Sequence, residues 1–170
     1  KTFAYYMTRY YREAFGMHTS SAILFNHESP RRTPEYVTRK ITQSVARISL
    51  GKQDSLVLGD MSAKIDWGYA REYMQAAWLM LQQEIPDDYV IATGEAHSVE
   101  EFVLEAFRYV NLDPAKYVKT SDEFKRPTKT SVLVGDSLKA KTSFGFDPEV
   151  RFKDLVKLMI DEDIKQQSKN

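Results

Sequence analysis

Two apolar stretches, AILF (Ala22 to Phe25) and the VIA of DYVIATG (Asp88 to Gly94), are each followed by the punctuation of a helix start, and this alternation constrains the fold more than any other feature. Both stretches read as buried strands, because a strand covered on both faces needs a run of apolar residues rather than an alternation. After the first, Thr33-Pro34-Glu35 offers an N-cap, a proline at the first helical position and an acid in the first turn. The helix this predicts runs to about Leu50, with Val37, Ile41, Val45 and Ile48 on one face and Gly51 as its stop. After the second, Ser98-Val99-Glu100-Glu101 spells a capping box that opens a helix to about Val110. Strands that each lead into a capped helix are the signature of an α/β fold.

The rest of the chain fits the same scheme. Thr2 to Phe15 lacks any breaker, carries a broad aromatic face and ends at Gly16, as a helix would. Ser55 to Asp60 reads as a short strand and turn, Ala63 to Tyr69 as an extended or loop segment, and Tyr69 to about Gln83 as a helix closed by Pro86. Asn111 to Thr130 is rich in lysine and turn residues, SLKAKTSFGF suggests a short helix and turn, and Phe152 to Gln167 puts Phe152, Leu155, Val156, Met159 and Ile160 on one stripe. No repeat or linker divides the 170 residues, and 42% hydrophobic content is enough for one core, so residues 1–170 are read as a single unit.

Charge and cysteine content narrow the functions. Lys plus Arg and Asp plus Glu both total 24, so no global field recruits nucleic acid or an anionic membrane, and an anion would have to bind locally. The absence of cysteine excludes a disulfide framework and thiolate metal sites and fits a cytoplasmic location. No apolar run approaches the roughly 20 residues of a membrane span. The chain starts with Lys inside a helix-like pattern and reads as a piece of something longer.

Asn26, His27, Arg31 and Arg32 crowd the segment after the first strand. In open α/β sheets ligands bind beyond the strands' carboxyl ends, and arginine forks suit phosphates, so one reading is a nucleotide site. A solvated surface loop accounts for the same composition. His18, His27 and His97 lack metal-ligand spacing, and no phosphate loop, nucleophile elbow or zinc helix motif is present. Phe3, Tyr5, Tyr6, Tyr10 and Tyr11 are expected to pack in a core or helix–helix interface, and Trp67 and Trp78 to anchor a core. KRPTK (Lys125 to Lys129) is a second basic spot that also suits a solvated loop.

Taken together, Lys1 followed by TFAYYMTRYYREAFG, then ILFNHESPRR, YVTRKIT, DWGYAREYMQAAWLMLQ, YVIATGEAHSVEEFV and the later RP, GD and KAK resemble the GDP-mannose 4,6-dehydratases of the extended short-chain dehydrogenase/reductase superfamily. The likeness is weakest between Asn111 and Thr120, and NHESPRR followed by VTRKI is its most specific part. It implies a doubly wound Rossmann-type fold of which this chain is the C-terminal half, with a smaller α/β lobe that grips the nucleotide sugar. It also implies NADP as cofactor, GDP-mannose as substrate, a missing N-terminal half holding the cofactor loop and most catalytic residues, and a homodimer or tetramer.

Residue by residue, the resemblance implies that Lys1 matches the catalytic lysine of the Tyr-x-x-x-Lys motif and contacts the cofactor. His27 and Arg32 correspond to cofactor contacts, Arg32 near a subunit interface, while Asn26, Val37, Lys40 and Arg126 correspond to substrate contacts, Arg126 on the diphosphate. Two positions depart from the family pattern. Ile65 stands where the family carries a diphosphate-facing arginine, and Lys129 where it carries a glutamate near the ribose. These leave a second reading, an epimerase or reductase acting on another nucleotide sugar, and a third, a noncatalytic interaction module. The isolated 170 residues are expected to be inactive.

Overall fold

The computed structural model describes residues 1–121 and 132–169. The chain runs α1 (Thr2–Phe15), β1 (Ala22–Leu24), β2 (Asn26–Glu28), α2 (Val37–Ser49), β3 (Leu56–Leu58), β4 (Lys64–Tyr69), α3 (Ala70–Met80) and β5 (Tyr89–Ile91). It continues through β6 (Ala96–Ser98), α4 (Val99–Tyr109), α5 (Pro114–Tyr117), β7 (Val118–Thr120), α6 (Leu138–Phe144) and α7 (Phe152–Gln167). The strands and helices alternate as an α/β fold should, and β1 pairs in parallel with β5, β2 with β4 and β3 with β7, while β6 joins β4 antiparallel.

Two apolar clusters hold these pieces. The larger lies among α2, α4 and α7, where Ile41, Val45, Phe102, Phe107, Leu155 and Met159 close over β3 and over Trp67 of β4. Each such side chain, removed from water, stabilises the fold by about 1.5–3 kcal/mol. The expected stripes of α2 and α7 are the packed faces: Ile41 and Val45 of α2 and Leu155, Val156, Met159 and Ile160 of α7 are all fully buried. The smaller cluster joins α3, β5 and α6 through Tyr73, Ala76, Ile91, Ala140 and Phe146. The capping box of α4 forms as read, with Glu101 N–H on Ser98 Oγ and the Glu101 carboxylate on Ser98 N–H.

Asp66 of β4 welds the two sheets that flank the ligand end. It is 1% exposed, and its carboxylate accepts from Thr93 N–H at 2.9 Å, Thr93 Oγ1 at 2.6 Å, Gly94 N–H at 3.0 Å and Gly135 N–H at 3.2 Å. Four donors satisfy the lone pairs of a buried carboxylate to which no cation is bonded among the described residues, which is the condition for burying a charge tolerably. Two residues further on, Gly68 lets α3 lie against β4, since a Cβ there would stand 2.3 Å from the ring of Tyr73.

Several expectations need correcting. Asn26 and His27 are not in a loop: they belong to β2, with Asn26 opposite Trp67 and Glu28 opposite Tyr69. The second helix does not start at Thr33-Pro34. Residues 33–36 make one isolated turn, Tyr36 N–H to Thr33 O at 3.2 Å, and no side chain caps the helix that follows. Tyr36 is extended at φ −82° and ψ 138°, and the helix begins at Val37. β1 is half open, with Ile23 and Leu24 exposed, because β5 is its one partner among the described residues. Trp78 is 61% exposed and anchors no core here, and α1 buries none of its aromatic residues. Between Asn111 and Thr120, α5 and β7 occupy a stretch read only as turns. No helix among the described residues is long and apolar enough to cross a membrane.

Candidate functional site

A cavity of about 580 Å³ opens where β2 ends and α2 begins, floored by β4. Its wall includes three residues expected to touch ligand, Asn26, Arg32 and Val37, and adds Glu28, Tyr36 and Trp67. Parallel pairing of β2 and β4 makes this convergence. Successive side chains of a strand point to opposite faces, so Asn26 and Glu28 turn to the cavity while His27 turns away from it. His27 instead lies against the ring of Tyr73, centroids 5.3 Å apart, with Nδ1 2.9 Å from the carbonyl of Phe25. A carbonyl only accepts, so Nδ1 carries a proton and donates it to Phe25 O.

Arg32 is the best-anchored cation of the site. Its Nε sits 3.4 Å from Glu28 Oε2, an ion-pair distance without a hydrogen bond, and its guanidinium carbon lies 3.4 Å from the centroid of the Tyr36 ring. Glu28 is 3% exposed and takes a hydrogen bond from Thr38 Oγ1 at 2.7 Å. Burial pushes the Glu28 carboxyl upward in pKa, and the Thr38 hydroxyl and the Arg32 charge oppose that shift. Glu35, on the exposed rim, is held low by its own backbone N–H and by the Thr33 hydroxyl, so it stays an anionic acceptor. A cation stacked on an aromatic face beside an exposed amide and a rim carboxylate can take a phosphate and hydroxyl-bearing ligand.

The other expected residues lie elsewhere. Lys1 is exposed ahead of α1, its carbonyl accepting Tyr5 N–H at 3.0 Å, and it does not line the cavity. Lys40 is half-buried on α2, one turn after Val37. Arg126 and Lys129 lie outside the described residues. Ile65 does line the cavity, so the position where the family carries an arginine is apolar wall in this chain. Arg31 belongs to a different, more open groove of about 1160 Å³ shared with Arg71 and the side chains of α7. Sequence reasoning missed Glu28 and Tyr36. The signal for Glu28 was its place two residues after Asn26, which puts both on one face of a strand; read as a loop, the segment hid that pairing.

The fold is shared with Rossmann-type dehydratases and epimerases of the short-chain dehydrogenase/reductase class. The structure of RMD from Pseudomonas aeruginosa complexed with NADPH matches 96% of this chain and 54% of its own, at TM-score 0.87 and 16% identity. dTDP-glucose 4,6-dehydratase from Bacillus anthracis, solved with NAD, matches 98% of this chain and 50% of its own at TM-score 0.77 and 16% identity. At sequence level the family described as GDP-mannose 4,6 dehydratase matches residues 1–159. GDP-mannose 4,6 dehydratase 1 of Arabidopsis thaliana is 50% identical over 164 residues, 96% of this chain and 45% of the relative. The chain belongs to the GDP-mannose 4,6-dehydratase family and spans about half the length of the curated relatives it matches.

Proposed function

We propose that this chain supplies the sugar-nucleotide-gripping part of a GDP-mannose 4,6-dehydratase, which together with a cofactor-binding half converts GDP-mannose to GDP-4-keto-6-deoxy-mannose. The observation that carries this reading is the meeting of two expected substrate contacts, Asn26 and Val37, with an expected cofactor contact, Arg32, in one cavity at the carboxyl end of β2, where an α/β sheet takes its ligands. NADP, when bound, supplies a hydride acceptor that is regenerated in the same turnover, so the reaction has no net oxidation. The residues of this chain bind and orient. Asn26, Val37 and Lys40 hold the GDP-sugar, with Arg126 on its diphosphate, while His27 and Arg32 serve the cofactor. Lys1 holds the cofactor ribose, and its ammonium lowers the pKa of a neighbouring tyrosine that takes the C4 hydroxyl proton.

The test is direct. Supplied with GDP-mannose and NADP, the complete enzyme should release a nucleotide sugar lighter by one water, with a 4-keto group visible by mass spectrometry and carbonyl trapping. No such product would sink the reading. Ile65 on the cavity wall favours one alternative, a relative acting on a different nucleotide sugar. Competition of GDP-mannose against UDP- and CDP-sugars in the same assay separates the two, and a preference for a UDP-sugar would select the alternative.

A further inference from the structure

We propose that Glu28 and Tyr36 are positioning residues that preset the Arg32 guanidinium as a bidentate receptor for a phosphate of the cofactor. This rests on the reading of Arg32 as a cofactor contact. Arg32 is held at both backbone and side chain. Its N–H bonds Ser29 O at 3.0 Å, closing the turn after β2, and its carbonyl accepts Arg39 Nε at 3.2 Å. Arg39 is itself 3% exposed and ion-paired to Asp163 of α7, so the turn is tied to the core rather than to solvent. The side chain is then fixed on two sides. Glu28 engages it at the Nε edge, and Tyr36 covers one face of its plane.

The consequence is geometric. With Nε facing Glu28 and one face on Tyr36, the terminal nitrogens of Arg32 make no hydrogen bond among the described residues and form the fork that matches two phosphate oxygens. Thr38 completes the arrangement from α2, since its hydroxyl fixes the same Glu28 oxygen, Oε2, that faces Arg32.

Two effects of Glu28 on an anion compete, and they have opposite signs. Its negative charge beside Arg32 repels a phosphate, so neutralising it would tighten binding if charge alone mattered. Its hold on the guanidinium spares the ligand the entropy of immobilising a long side chain, about 2- to 10-fold in affinity. The partner is buried and its carboxylate oxygen already fixed by Thr38, which marks Glu28 as a support, and positioning is the effect we expect to win.

The experiment is a titration of the complete enzyme with NADPH, read by nucleotide fluorescence and paired with steady-state kcat and KM. Arg32→Ala should weaken NADPH about 10-fold or more, as loss of a charged hydrogen-bond partner does. Glu28→Gln, which keeps shape but not charge, should weaken it about 2- to 10-fold. Because Glu28 is buried and its variant could misfold, Tyr36→Ala at an exposed position gives an independent arm. It should show the same loss, and Tyr36→Phe, which keeps the ring face, should recover the affinity that Tyr36→Ala loses. Equal or tighter NADPH binding in Glu28→Gln and Tyr36→Ala, with Arg32→Ala weakened, overturns the clamp and leaves Arg32 as a ligand. Unchanged binding in Arg32→Ala overturns both readings.

Discussion

At the scale of single residues, Gly68 shows how closely the site depends on packing. A methyl group there would fall 2.3 Å from Tyr73 Cε1 and 2.5 Å from the Tyr73 hydroxyl oxygen, and Tyr73 is fully buried with no room to swing aside. Burial pushes the Tyr73 hydroxyl upward in pKa, with Asp66 and Glu72 adding to the shift, so the ring stays neutral and behaves as a rigid apolar plate under His27. We expect Gly68→Ala to cost about 1–3 kcal/mol, the usual range for overpacking, measured as a lower denaturation midpoint at unchanged slope. An unchanged midpoint would mean that α3 and β4 are not pressed together as described.

At the scale of elements, the long periodic helices and the short apolar strands were legible in the sequence, while short polar strands were not. α1, α4 and α7 lie where aromatic or apolar periodicity, a capping box and a glycine stop placed them, and β1, β3 and β5 lie within the apolar runs read as strands. β2 (NHE) and β7 (VKT) were missed because they carry no apolar run and are made by their partners β4 and β3. The early start read for α2 failed because Thr33-Pro34-Glu35 has the chemistry of a cap but closes a separate turn onto Tyr36, whose extended backbone keeps that turn out of the helix. Which residues would meet at the cavity was likewise invisible to local pattern; motif resemblance named Asn26, Arg32 and Val37, and only the β2–β4 register explains why they converge.

Two elements also leave a large apolar face uncovered. Phe3, Tyr6, Tyr10 and Phe15 of α1 and Met74 and Trp78 of α3 are all more than half exposed, against the burial that aromatic side chains ordinarily reach. The homodimer or tetramer that the resemblance implies for the complete protein would cover these side chains. Sedimentation at micromolar concentration should give a species of at least twice the monomer mass, and replacing Tyr6 and Trp78 with charged residues should dissociate it; a monomer in the parent protein would contradict the assembly.

At the scale of the whole molecule, the account comes down to where a sugar nucleotide sits. Among the openings formed by the described residues are the cavity between β2, β4 and α2 and the larger groove between Arg31, Arg71 and α7. Volume favours the groove, but the chemistry favours the cavity. The groove's Lys157 is engaged by Asp161 and Tyr109, whereas the cavity lies at the carboxyl end of a parallel strand and presents the amide of Asn26 and the side chain of Val37 beside the proposed cofactor contact Arg32. The measurement that decides is hydrogen–deuterium exchange of the complete enzyme with and without GDP-mannose in the presence of NADP. The account predicts slowed exchange in residues 26–38 and 64–67 and little change in residues 154–166. Protection confined to residues 154–166, with 26–38 unaffected, would contradict it.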